Sequence, residues 1–395
     1  MVSDAYQPPA ARPSAKGLPA SDSAETIWWD ALTASWAATT LAGEAALRTI
    51  ADVLSQVAGT ESVVPEPLWA TPHRIVAETA IFRLRDFSIG RATPPVIVVA
   101  PFALHGAAIA DFAPGHSLVE RLLAEGLEQV LLVEWKSAST DTRSLTVDNY
   151  LADLAVILDD YGGRAVLVGI CQGGWLSLMA AARFPQKVAR LVLAGSPVDL
   201  DAEPSRFVNT VRSVSPGVFE TLVRSGNGLV LGQRMLAAWG AGALDAEGQA
   251  QTLQIDGPMP ADLSKRFQRW DRWAVNLPGP YYLQVVEHLF RDNELAKGRF
   301  CALGRRLDLS AVEQPIYLLA GRDDEVIPPG QVLALNRLVG TRQGRIQAAV
   351  APCGHLSLFM GALTLTAEWR DICAWILEGS GDEARLCAQP PESAA

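Results

Sequence analysis

Cys171 sits in the string Gly169-Ile-Cys-Gln-Gly-Gly-Trp175, which follows the apolar run Ala165–Val168. A thiol between glycines at a strand-to-helix junction is the cysteine version of the nucleophile elbow G-x-S-x-G. Gly169, Gly173 and Gly174 leave room for a turn too sharp for side chains on its inner face. The nucleophile then lies at the start of a helix, whose positive end favours a thiolate. The N–H of Gln172 is expected as one oxyanion donor.

A thiol nucleophile needs a base, and the base needs an orienting acid. Two adjacent carboxylates, Asp323 and Asp324, lie in Gly321-Arg-Asp-Asp-Glu-Val-Ile-Pro-Pro329. Asp324 is the expected acid because it completes the pattern G-x-x-D-x-x-x-P with Gly321 and Pro328; Asp323 is the alternative. Of five histidines, His355 follows a glycine near the end of the chain, after the run Ile346–Val350. That places it where a base should follow an acid. His73 lies too early, His288 falls in a helix-rich segment, and Cys353 is expected to be incidental.

The elements that must hold these groups alternate. Strand runs are expected at Pro95–Ala100, Gln129–Val133, Ala165–Val168, Leu191–Ala194, Pro315–Ala320 and Ile346–Val350, with helices at Leu151–Leu158 and Leu176–Arg183. Such alternation implies right-handed crossovers and a largely parallel sheet. Together with the order nucleophile, acid, base, it predicts an α/β-hydrolase fold: a mostly parallel central sheet flanked by helices, with a helix-rich cap insertion. The core is expected over 61–200 and 305–380 and the cap over 201–304. Residues 1–21 and 381–395 are expected to be disordered, and 22–60 to form an amphipathic helix. His105 and Gly106 follow the first parallel strand, where this fold places its second oxyanion donor.

Several linked motifs resemble those of polyhydroxyalkanoate (PHA) synthases. Gly169-Ile-Cys-Gln-Gly-Gly174 resembles their G-x-C-x-G-G box, and Asp111-Phe-Ala-Pro-Gly-His-Ser-Leu118 resembles their D-L-S-P-x-x-S-L stretch. Trp270, Asn276-Leu-Pro-Gly279, Asn293-Glu-Leu295 and Leu307-Asp-Leu309 continue the likeness, which covers about residues 90–375. Three positions differ. Trp175 stands where synthases carry Thr, Glu325 where they carry His, and His105-Gly106 where they carry Asn-Lys. These features resemble more closely a related group labelled 3-hydroxyalkanoate synthetases.

The resemblance implies acyl transfer through Cys171 from 3-hydroxyacyl-coenzyme A, or action on polyester, with no cofactor or metal. Hydrolysis through the same acyl-enzyme is one alternative, and a non-catalytic protein on PHA granules is another. The resemblance also implies a homodimer, and Trp175 and Trp270 are expected to line the substrate pocket. Arg305 and Arg306 are the candidates for coenzyme A phosphates.

Bulk composition restricts the partners. The net charge is -10 over 395 residues, with no basic face of the kind that nucleic acid requires. No apolar run is long enough to span a membrane, and Met1–Ala20 lacks the pattern of a signal peptide. Five irregularly spaced cysteines read as reduced thiols, so the expected location is the cytoplasm.

Overall fold

The computed structural model describes residues 64–92, 94–239 and 244–387. The disordered stretch expected at 1–21 and the helix expected at 22–60 lie outside these residues.

Eight strands form one sheet: β1 (Arg74–Glu78), β2 (Phe82–Asp86), β3 (Val96–Val99), β4 (Val130–Trp135), β5 (Ala165–Ile170), β6 (Val188–Ala194), β7 (Ile316–Gly321) and β8 (Ile346–Ala351). Their order across the sheet is β1-β2-β4-β3-β5-β6-β7-β8. The pairings β1–β2 and β2–β4 are antiparallel, and every pairing from β4 to β8 is parallel. β3, β4 and β5 are buried along their whole length. Strands covered on both faces read as unbroken apolar runs such as Val-Ile-Val-Val. β1 and β2 were not expected, because Arg-Ile-Val-Ala-Glu and Phe-Arg-Leu-Arg-Asp mix charged and apolar residues at an edge.

Helices cover both faces of the sheet. α1 (Leu118–Ala124) starts at Ser117, whose hydroxyl accepts the Glu120 N–H at 2.9 Å. α2 (Val147–Asp160) and α3 (Gly173–Arg183) share one apolar cluster with the strands. α1 packs on the other face with the closing helix α5 (Glu368–Cys387), which contributes the fully buried Trp369. Because α5 continues to Cys387, the tail expected from 381 is helical as far as that residue, and 388–395 lie outside the description.

Between β6 and β7 the chain leaves the sheet for a helical excursion that includes α4 (Ala261–Asp271) and ends in the π-helical turn Val285–Arg291. Asn276 ties this insertion to the body. Its N–H donates to Ser137 Oγ and its carbonyl accepts the Ala138 N–H, each at 2.9 Å. Its Oδ1 accepts the Gly232 N–H at 2.9 Å. From α4, Arg266 donates to the carbonyls of Leu68 and Phe112, which fastens the helix to the segment preceding β1 and to the loop after β3. Among the described residues, no helix is long and apolar enough to cross a membrane.

Candidate active site

The parallel strands deliver their following loops to one end of the sheet, where open α/β folds bind their ligands. There, loops after β3, β5, β6, β7 and β8 surround a cavity of about 240 Å³ whose other walls come from the insertion.

Cys171 follows β5 with φ of +49°. A left-handed conformation at a residue carrying a Cβ is strained, and its neighbours show how it is held. The Cys171 N–H donates to the Ala194 carbonyl at 2.9 Å, and its carbonyl accepts the Gly174 N–H at 3.0 Å. A Cβ on Gly169 would lie 2.6 Å from Gly174 Cα, and one on Gly173 would lie 2.0 Å from the Val99 carbonyl oxygen. A Cβ on Gly174 would meet Ser196 Oγ at 1.9 Å. These glycines let β3, β5 and α3 approach closely enough to close the turn.

His355, after β8, and Asp324, after β7, are brought to the same place. His355 Nδ1 lies 2.7 Å from Asp324 Oδ2, and Nε2 lies 3.2 Å from Cys171 Sγ. Asp324 is 3% exposed, so its ionised form depends on bonded donors. Its Oδ1 accepts the N–H groups of Val326 and Ile327 at 2.9 and 2.8 Å, leaving Oδ2 for the imidazole. The two loops are stitched together by backbone bonds from Arg322 N–H to the Ala351 carbonyl and from Asp323 N–H to the Cys353 carbonyl. Asp323, the alternative acid, is turned outward and paired with Arg322 at 2.9 Å.

Burial opposes a charge on His355. The Asp324 carboxylate and the Cys171 sulfur, each also hydrogen-bonded to the ring, outweigh it and raise the imidazole well above its ordinary value. The arrangement can move a proton between sulfur and imidazole while the carboxylate fixes the ring.

The expected oxyanion groups separate. Gln172 lines the cavity at the start of α3, and its N–H has no bonded partner among the described residues. Gly106 also lines the cavity, but its N–H donates to the Ala103 carbonyl at 3.2 Å. Its φ of +64° closes that tight turn, so the expectation of an open donor at Gly106 is corrected. The His105 ring turns into the insertion, with Nδ1 at 3.2 Å from the Trp273 carbonyl and its face against Trp270, centroids 4.4 Å apart.

Trp270 lines the cavity and Trp175 does not. The placement of Trp175 in the pocket is therefore also corrected. Its indole N–H bonds the Pro197 carbonyl, and its ring packs edge-on to Phe290 at 5.1 Å, so it backs two residues that do face the cavity. Arg305 and Arg306 form one strand of an exposed two-stranded ribbon and are not part of the cavity wall.

Sequence reasoning missed Asp271, the one carboxylate among the described residues lining the cavity, and Gly195 after β6. A Cβ on Gly195 would crowd His355 Cε1 at 3.3 Å and Leu358 at 2.9 Å. Its adjacency to the end of an apolar run was the available signal. Asp271 gave none beyond following Trp270.

Comparison with known proteins agrees with this architecture. Residues 133–362 match the family model described as alpha/beta hydrolase fold, more than half of the chain. The chain is 25% identical to a poly(3-hydroxyalkanoate) polymerase subunit PhaC of Haloferax mediterranei over 337 residues, 81% of this chain and 66% of that protein. It is 28% identical to the subunit of the same name from Synechocystis over 300 residues, 72% of this chain and 78% of the relative. Among solved structures, the monoacylglycerol lipase of Paleococcus ferrophilus superposes with a TM-score of 0.50 at 16% identity, covering 75% of this chain and 99% of the lipase.

Proposed function

Since this chain belongs to the α/β-hydrolase-fold family and is similar in sequence to poly(3-hydroxyalkanoate) polymerase subunits, we propose that it transfers 3-hydroxyacyl groups from coenzyme A thioesters to a hydroxyl acceptor through Cys171. The observation that carries this reading is the continuous chain Cys171 Sγ, His355, Asp324, with bonds of 3.2 and 2.7 Å, at the wall of an apolar cavity.

In this reading His355 takes the Cys171 proton as sulfur attacks the thioester carbonyl. The carbonyl oxygen becomes an oxyanion beside the Gln172 N–H, which stabilises it as charge develops. Collapse breaks the carbon–sulfur bond to coenzyme A, and His355 returns the proton to the departing thiolate. The acyl-enzyme is then attacked by an acceptor hydroxyl, whose proton passes to His355. An ester forms, and that proton restores the Cys171 thiol. Asp324 stays ionised throughout and orients the ring. The mainly aliphatic and aromatic walls favour this outcome over hydrolysis by limiting water at the acyl-enzyme. The activity named for the relatives supports the same direction. A growing polyester product would keep the protein at a polymer surface.

The test is incubation with (R)-3-hydroxybutyryl- and (R)-3-hydroxyoctanoyl-coenzyme A, following free thiol and analysing the acyl product. The expected result is release of coenzyme A with oligomeric or polymeric ester, and loss of at least a thousandfold in rate for Cys171→Ala. Free hydroxy acid as sole product would turn the assignment to hydrolysis, and release that survives Cys171→Ala would overturn it.

A further inference from the structure

The chemistry described above uses Cys171, His355, Asp324 and Gln172, yet the cavity holds a second pair of polar side chains. His105, in the loop after β3, and Asp271, at the end of α4, both line it, with Nε2 and Oδ1 3.8 Å apart. β3 and β5 are neighbours in parallel register, Val99 opposite Gly169, so the His105 loop lies beside the elbow that carries Cys171.

The hydrogen-bonding state of this pair follows from its surroundings. Burial drives His105 toward its neutral form and outweighs the Asp271 charge and the Trp273 and Trp270 carbonyls, which favour the cation. Nδ1 faces the Trp273 carbonyl at 3.2 Å. A carbonyl can only accept, so the Nδ1–H tautomer satisfies this contact, and in that tautomer Nε2 is an acceptor. The Asp271 carboxylate is also an acceptor, with enough lone-pair sites to take a further donor beyond the contacts it already makes. Two acceptors thus converge in a cavity walled mostly by carbon. Such a site suits a ligand that brings a hydroxyl donor and disfavours the same ligand without one.

We infer that His105 and Asp271 form a hydroxyl-recognition site, which binds the 3-hydroxyl of the acyl chain while the apolar walls take its hydrocarbon. The inference rests on the acyl-transfer reading for the identity of the ligand and extends it by assigning substrate selectivity to two residues outside the reacting centre. The hydroxyl would donate to Asp271 or to His105 Nε2, and a 3-deoxy acyl group would leave both without that donor.

Binding to an inert protein separates this inference from the proposed reaction. Calorimetric titration of Cys171→Ala with methyl (R)-3-hydroxyoctanoate and methyl octanoate is expected to show the hydroxy ester binding at least tenfold more tightly. Adding Asp271→Asn, which preserves shape, or His105→Phe, which preserves the stacking on Trp270, is expected to bring the two affinities within about threefold of each other. Circular dichroism of each variant establishes that it is folded, and either second substitution suffices if the other does not fold. Equal affinity of Cys171→Ala for both esters overturns the inference, as does undetectable binding of the hydroxy ester. So does a preference that survives both second substitutions, or one in which they weaken both esters equally, which is the mark of a purely structural clasp. Coenzyme A release, measured separately, decides the proposed reaction whichever way the binding falls.

Discussion

A thiol at φ +49°, a carboxylate holding two backbone N–H groups and an imidazole meet at one point, and the carboxylate and the sulfur raise the imidazole above its ordinary value against the opposing effect of burial. The histidine gives this a pH signature. Its folded-state value is raised, so the stabilisation it contributes is fully present below the unfolded value of about 6.5 and is lost as pH rises through the folded value. His355→Gln cannot carry the charge. The difference in Tm between wild type and His355→Gln should therefore be largest near pH 6 and shrink at alkaline pH. Thermal unfolding followed across that range checks it, and a gap that widens with pH would contradict the assignment. The same residues show what spacing can reveal. The glycine-flanked motif after an apolar run pointed to Cys171, and chain order then pointed to His355. The neighbours Asp323 and Asp324 differ by one position, and only the backbone direction after β7 turns one outward to Arg322 and the other inward to His355. The Gly106 N–H is taken up by a tight local turn, whereas the position of Trp175 behind the cavity wall depends on long-range packing that no local pattern encodes.

At the level of elements, the elbow is a packing problem between β3, β5 and α3, solved by removing side chains. Gly173→Ala would drive a Cβ to 2.0 Å from the Val99 carbonyl oxygen and 2.8 Å from that of Ala100, both backbone atoms in a buried strand end that cannot give way cheaply. Its expected cost is about 1–3 kcal/mol, with loss of Cys171 geometry as β3 and α3 are pushed apart. Gly344→Ala is the matched control: a Cβ there meets nothing within 4 Å, so its unfolding midpoint should stay close to wild type. Denaturant unfolding of the two variants measures the contrast, and equal midpoints would mean that the elbow is looser than its distances indicate. Elements buried on both sides were legible as largely apolar runs, which is why β3 to β7 could be anticipated, whereas β8 is a mostly exposed edge strand found from its place before His355. β1 and β2 could not, since an edge hairpin with alternating charge carries no such signature. The closing helix α5 was likewise missed, although its buried face carries Trp369, Ile372, Cys373 and Ile376 at helical spacing.

The whole molecule turns these elements into a vessel: the sheet supplies the reacting end and the insertion supplies the walls. Phe207, Val211, Phe219, Tyr282 and Phe290 come from the insertion, and they bound space well beyond what a four-carbon acyl group fills. Each additional methylene moved from water onto such walls contributes about 0.8 kcal/mol, or roughly a fourfold gain in kcat/KM when the contact is kept in the transition state. For 3-hydroxyacyl-coenzyme A substrates, kcat/KM is therefore expected to climb from four to six to eight carbons and to level off once the chain meets the far wall. Val211→Phe places a ring on that wall and should flatten or reverse the climb, with the four-carbon substrate affected least. The measurement is a series of initial rates at sub-saturating substrate for both proteins. A wild-type optimum at four carbons would show that the insertion closes over the site during turnover and leaves the acyl chain far less room than the resting cavity provides. A profile that climbs in the wild type and flattens in Val211→Phe would place the chain-length determinant in the insertion rather than in the loops that carry the reacting groups.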